Sequence, residues 1–73
     1  MPKLPVVSGA DLIRALERLG FEQRRQRGSH VVVRRGEQGC VVPLHGELKR
    51  GTLAGILRQA DISAEELLEA LRK

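Results

Sequence analysis

Apolar positions recur along this chain in two rhythms, a helical one near the two ends and a strand-like one in the middle. Leu12, Ile13, Leu16 and Leu19 fall on one helical face and are followed by Gly20, a left-handed stop. Ahead of them, Ser8 and Asp11 have the spacing of a capping box, and Val7 and Leu12 that of a hydrophobic staple. A helix is predicted over Gly9 to Leu19. His30 to Arg35 is rich in valine, with Val31 and Val33 on one face of a strand and His30, Val32 and Arg34 on the other. Cys40 to Leu44 is a further apolar strand, stopped near Pro43 and separated from the last by the loop Gly36-Glu37-Gln38-Gly39. Leu53, Ile56, Leu57 and Ala60 return to helical spacing, with Thr52 placed to cap that helix. A third helix is predicted over Ala64 to Arg72, opened by a capping box of Ser63 and Glu66 and a staple of Ile62 and Leu67.

Between the first helix and the valine strand lies Phe21 to Arg27, in which four of seven residues are charged. Alone it is a poor strand, and it takes its place by pairing with its neighbour across Gly28-Ser29, a hairpin signal. A plain two-residue turn there would put Phe21, Gln23 and Arg25 on the same face as His30. A three-residue loop or a bulge instead turns Phe21 toward Val31 and Val33, and burying a Phe is worth about 1.5 to 3 kcal/mol. In this preferred register Arg24 and Gln26 join His30, Val32 and Arg34 on the open face, with Arg27 in the loop. The expected architecture is a single α+β domain spanning residues 1 to 73, of order helix, three antiparallel strands, helix, helix. The helices pack on one face of the sheet, an order shared with the double-stranded RNA-binding domain. Leu12, Leu16, Leu19, Phe21, Val31, Val33, Val42, Leu53, Ile56 and Leu57 are the predicted core, and Met1 to Val7 an extended lead-in.

Composition sharpens this picture at three points. A chain of 73 residues buries only roughly 60% of its unfolded surface, so stability is modest. The single cysteine, Cys40, excludes an intrachain disulfide framework and fits a reducing compartment. No apolar run reaches membrane-spanning length and no signal peptide is evident, so a soluble cytoplasmic protein without a membrane partner is expected. The formal charge of +4 is unevenly spread. Met1 to Arg58 holds eleven Lys or Arg against five Asp or Glu, a net of +6, while Gln59 to Lys73 holds two against four, a net of −2. A basic surface of this kind has a polyanion as its natural partner, although it also serves simply as a solvated exterior.

His30 is the sharpest candidate for chemistry. Arg24, Arg27, Arg34 and Arg35 lie near it in sequence or across the hairpin and would hold phosphate beside an imidazole, a group that exchanges protons near neutral pH. Cleavage of RNA needs little more: a base for the ribose 2′-OH, an acid for the leaving 5′ oxygen, and cations for the charge built on phosphorus. The carboxylates Asp11, Glu17, Glu22, Glu37 and Glu47 are too scattered for a two-metal site, and His30, Cys40 and His45 lack paired zinc spacing, so no metal or other cofactor is expected. His45, in an irregular polar connection, is a weaker second imidazole. Lys49 and Arg50 precede a helix N-terminus and suit a phosphate contact as well as they suit a solvated loop. With no Trp or Tyr, base stacking is poorly supported and backbone reading favoured.

These residues also carry a resemblance. The capped first helix ending in Leu19-Gly20-Phe21, then Arg25 with Gly28-Ser29-His30, then Val42-Pro43 with His45, and finally Leu48-Lys49-Arg50-Gly51-Thr52-Leu53 before Ile56-Leu57 together resemble the HicA (YcfA-like) family of small toxins. Val32 departs from it, standing where similar proteins often carry a polar residue. The resemblance implies a metal-independent ribonuclease acting on messenger RNA, His30 as its catalytic residue, and a HicB-type antitoxin as its protein partner. Arg24, Arg27, Ser29, Arg34, Lys49 and Arg50 are the candidate RNA contacts. A non-catalytic RNA-binding module, in which His30 only touches the backbone, is the alternative.

Overall fold

The structure, a computed structural model, describes residues 3–73, so Met1 and Pro2 of the lead-in lie outside the described residues. The order is α1 (Gly9–Arg18), β1 (Glu22–Arg27), β2 (His30–Arg35), β3 (Gln38–Pro43), α2 (Arg50–Ala60) and α3 (Ala64–Leu71), as the sequence predicts. The three strands form an antiparallel sheet in the order β1-β2-β3. Val31 and Val33 of β2 and Cys40 and Val42 of β3 are buried with Leu12 and Leu16 of α1, Leu53, Ile56 and Leu57 of α2, and Leu67 of α3. One core therefore lies between the sheet and the helices. Of the predicted core, only Leu19 is partly exposed, packed at its margin. Val32 and Val41 alternate to the opposite, helix-free face.

The caps follow the sequence unevenly. At α3 the box is complete: Ser63 Oγ accepts from the Glu66 amide at 3.1 Å and the Glu66 carboxylate accepts from the Ser63 amide at 2.9 Å. At α1 only half of it forms, because Ser8 Oγ accepts from the Asp11 amide at 3.0 Å while the Asp11 carboxylate is paired with Arg14. The start of α2 corrects the expected Thr52 cap. Lys49 is the N-cap and makes no side-chain cap bond, Arg50 is already helical, and Thr52 lies inside the first turn. Leu48 accounts for this, since its side chain is buried in the core and its amide donates to the Val7 carbonyl at 2.8 Å, pinning the chain just before Lys49. The connection is thus anchored by one apolar residue rather than polar throughout.

Gly28 and Ser29 form a two-residue turn, with Gly28 at φ 54°, the positive value that a type II′ hairpin needs at its first central position. The pairing runs Arg27 with His30, Gln26 with Val31 and Arg25 with Val32, then skips to Gln23 with Val33 and Glu22 with Arg34. Arg24 is the extra residue of a β-bulge. The bulge resets the alternation so that Phe21 is buried although the turn is short. The shortness of the turn corrects two expectations. Gln26 faces the helices opposite Val31, and Arg27 is a strand residue beside His30 rather than a loop residue.

Past β3, the chain runs tightly over the start of α1. The Gly9 amide donates to the His45 carbonyl at 2.9 Å, and a Cβ on Gly9 would be driven into the Pro43 carbonyl oxygen. This close approach, invisible in the local helix signal, sets where the residues after β3 lie.

Candidate functional site

Directly paired residues on neighbouring strands project to the same face, so the pairing assigns the open face row by row. The first row is Arg27, His30 and Pro43, the second Arg25, Val32 and Val41, and the third Glu22, Arg34 and Gly39. His30 is the first residue of the central strand, with its side chain exposed and its backbone held between two neighbours. The turn beside it is tied across to the end of β3, because the Leu44 amide donates to the Ser29 carbonyl at 2.6 Å. His30 is thereby fixed in place by main-chain bonds while its ring remains open to a ligand.

The cations gather unevenly around it. Arg27 stands directly across from His30, where cross-strand Cβ atoms lie about 4.5 to 5.5 Å apart. Arg25, opposite Val32, is on the same face, as a plain two-residue turn requires; the bulge lies beyond it, so Arg25 rather than the expected Arg24 stands beside Val32. Among the described residues neither Arg25 nor Arg27 pairs with a carboxylate. Arg24 reaches Glu22 at 3.4 Å and lines a shallow recess with Glu22 and Arg34, toward the end of the sheet away from His30. Arg34 is exposed on the third row and its guanidinium donates to the Gly36 carbonyl at 3.5 Å.

Arg35 is drawn away from the expected phosphate cluster. It is half-buried, donates to the Leu19 carbonyl at 2.8 Å and sits 4.8 Å from the Phe21 ring centroid, so it closes the end of α1 over the core. Lys49 and Arg50 are exposed at the start of α2, and His45 is exposed in the segment bonded to Gly9. Cys40, by contrast, is inside, and burial pushes its thiol up to about 11. Among the described residues no three His, Cys, Asp or Glu side chains converge as a metal site, and no helix is long and apolar enough to cross a membrane.

A family model described as the HicA toxin of bacterial toxin-antitoxin pairs matches residues 9–62, more than half of the 73-residue chain. The chain belongs to the HicA toxin family. The match runs from the first residue of α1 to just past α2, so it contains the whole sheet, His30 and the Lys49-Arg50 segment. Membership in the HicA family brings a toxin role and, with it, an antitoxin counterpart. No curated protein matches the chain. Helix α3 lies beyond the matched residues yet contributes Leu67 and Ala70 to the core of this HicA-family chain.

Proposed function

We propose that this HicA-family toxin is an endoribonuclease that cleaves messenger RNA in the cytoplasm, with His30 as its proton-transfer residue. The observation that carries the reading is the pair Arg27 and His30, an exposed imidazole on a fixed strand with a guanidinium directly across from it that, among the described residues, pairs with no carboxylate. In the reaction, the ribose 2′ oxygen loses its proton to a base and bonds to the adjacent phosphorus. The bond from phosphorus to the 5′ oxygen breaks, and that oxygen takes a proton from an acid. An imidazole serves either end of this transfer. Arg27 meets the charge that grows on the phosphoryl oxygens, in the fork-like geometry that guanidinium offers phosphate. Ser29, Arg34, Lys49 and Arg50 are peripheral contacts of the same strand, and no metal or other cofactor takes part.

The test is His30→Ala against wild type on messenger RNA, in EDTA. Wild type cleaves and the variant loses at least about a hundredfold in rate, the range of one general acid or base. A His30→Ala protein that cleaves normally would remove the reading. Wild type that binds RNA but never cuts it would leave the non-catalytic binding module.

The partner we propose is a HicB-type antitoxin that covers the His30 face, offering acidic or hydroxyl groups to Arg25, Arg27 and Arg34 around the apolar Val32. Complementary charge speeds such an association, and the contact excludes RNA by occupying the same surface. Simultaneous, undiminished binding of antitoxin and RNA would rule occlusion out.

A further inference from the structure

The open face is divided lengthwise. Along β1 it presents Arg27 and Arg25, two exposed guanidiniums that among the described residues have no carboxylate partner. Along β2 and β3 it presents His30, then Val32, Val41 and Pro43, of which Val41 is 43% exposed. Arg27 and Arg25 are two residues apart on one strand, a step of roughly 6.7 Å, which is of the order of the phosphate step in an extended single strand. Because the bulge, at Arg24, lies outside the stretch from Arg25 to Arg27, these two side chains keep regular strand spacing.

We infer that β1 is a two-phosphate lane for single-stranded RNA, in which Arg27 holds the phosphate presented to His30 and Arg25 holds the next phosphate of the same strand. The inference rests on the ribonuclease reading for the identity of the ligand and adds to it the register of the strand. Arg27 acts at the reacting phosphate and Arg25 at its neighbour, so removing each has a different consequence. The sugar and base between the two phosphates lie over Val32 and Val41, whose side chains carry no hydrogen-bonding group. The lane therefore holds backbone without reading the base at that step.

The experiment measures binding of short RNAs carrying 2′-O-methyl groups, which cannot be cleaved by attack of the 2′ oxygen. A dinucleotide carries one phosphate and a trinucleotide two. Wild type gains about tenfold in affinity on passing from one to two phosphates, as expected of an added charge-assisted contact. The gain is the same within about twofold for any base placed between them. Arg25→Gln abolishes the gain and leaves dinucleotide binding unchanged, whereas Arg27→Gln weakens both. Arg24→Gln, which removes a guanidinium already engaged with Glu22, leaves the gain intact. Loss of the gain in Arg24→Gln with retention in Arg25→Gln would overturn the lane, as would a gain that depends strongly on the base. Cleavage of unmodified RNA by wild type is followed in parallel. Cleavage without the length dependence removes the lane alone, and the length dependence without cleavage removes the nuclease reading alone. Absence of binding at every length overturns both.

Discussion

An imidazole exposed at the first position of a central strand is positioned by the backbone of its neighbours, which separates its chemistry from the stability of the fold. His30→Ala is therefore expected to shift unfolding free energy by no more than about 0.5 kcal/mol, the range of substitutions away from the core, while abolishing cleavage. Thermal unfolding beside the activity assay checks both halves. Cys40 behaves in the opposite way. Its thiol, raised to about 11 by burial, stays neutral in the folded protein after the thiol of the unfolded chain, near 8.5, has ionised. A folded value above the unfolded one means that the associated stability is full below about 8.5 and is lost as pH rises toward about 11. The expected result is alkaline destabilisation that flattens in Cys40→Ala, read by denaturant melts between those pH values. Slow reaction of the native thiol with a disulfide reagent, accelerated by denaturant, is the companion measurement.

At the scale of elements, the acid side of the stability profile belongs to the start of α3. Hydrogen bonds from the Ser63 amide and hydroxyl hold the Glu66 carboxyl below its ordinary range. A depressed folded value contributes stability above the unfolded carboxylate pKa, and that contribution disappears as pH falls through the folded one. Ser63→Ala should lower stability by about 1 kcal/mol at neutral pH, a loss that shrinks in acid. The end of α2 offers a change of the other sign. Asp61 is its C-cap at φ 58°, left-handed backbone that Gly takes more readily than Asp, and the Ile62 amide closes the turn on the Leu57 carbonyl at 2.9 Å. Asp61→Gly is expected to raise the midpoint of thermal unfolding by a few degrees, corresponding to about 0.5 to 1 kcal/mol. These termini show what was legible beforehand. Helices and strands announced themselves through local signals: Ser63 with Glu66, Gly20 after Leu19, valines in alternation. The bulge did not, because a longer loop would bury Phe21 equally well, and only the pairing with β2 shows Arg24 to be the extra residue. With the correction for Phe21 made at Arg24 instead of in the turn, the turn stays short, and Gln26, Arg27 and Arg25 take the faces that a two-residue turn gives them. Arg35 misled for a related reason, since its draw toward the Leu19 carbonyl and Phe21 ring depends on residues 14 to 16 positions earlier in the chain.

Across the whole molecule, charge is segregated along the chain: a net of +6 up to Arg58 and −2 thereafter. The acidic share is carried largely by α3, with Glu65, Glu66 and Glu69, a helix that packs on α1 rather than forming part of the sheet. The sheet's open face and the start of α2 hold the cations Arg25, Arg27, Arg34, Lys49 and Arg50. If RNA is held on the cationic surface, each phosphate contact displaces counterions and the logarithm of affinity falls linearly with the logarithm of salt, by about 0.7 per contact on a single strand. Replacing Arg25 or Arg27 with Gln should therefore reduce the magnitude of the slope by about 0.7 each, in addition to weakening binding. Glu65→Gln and Glu69→Gln alter the net charge by the same single unit but remove no phosphate contact. They should leave both affinity and slope nearly unchanged, because a distant charge is screened within about 10 Å at 0.1 M salt. Titration of a noncleavable RNA across a salt series distinguishes the two classes. Slope changes of equal size and opposite sign for the arginine and glutamate variants would mean that RNA answers to the net charge of the protein rather than to a surface built around His30.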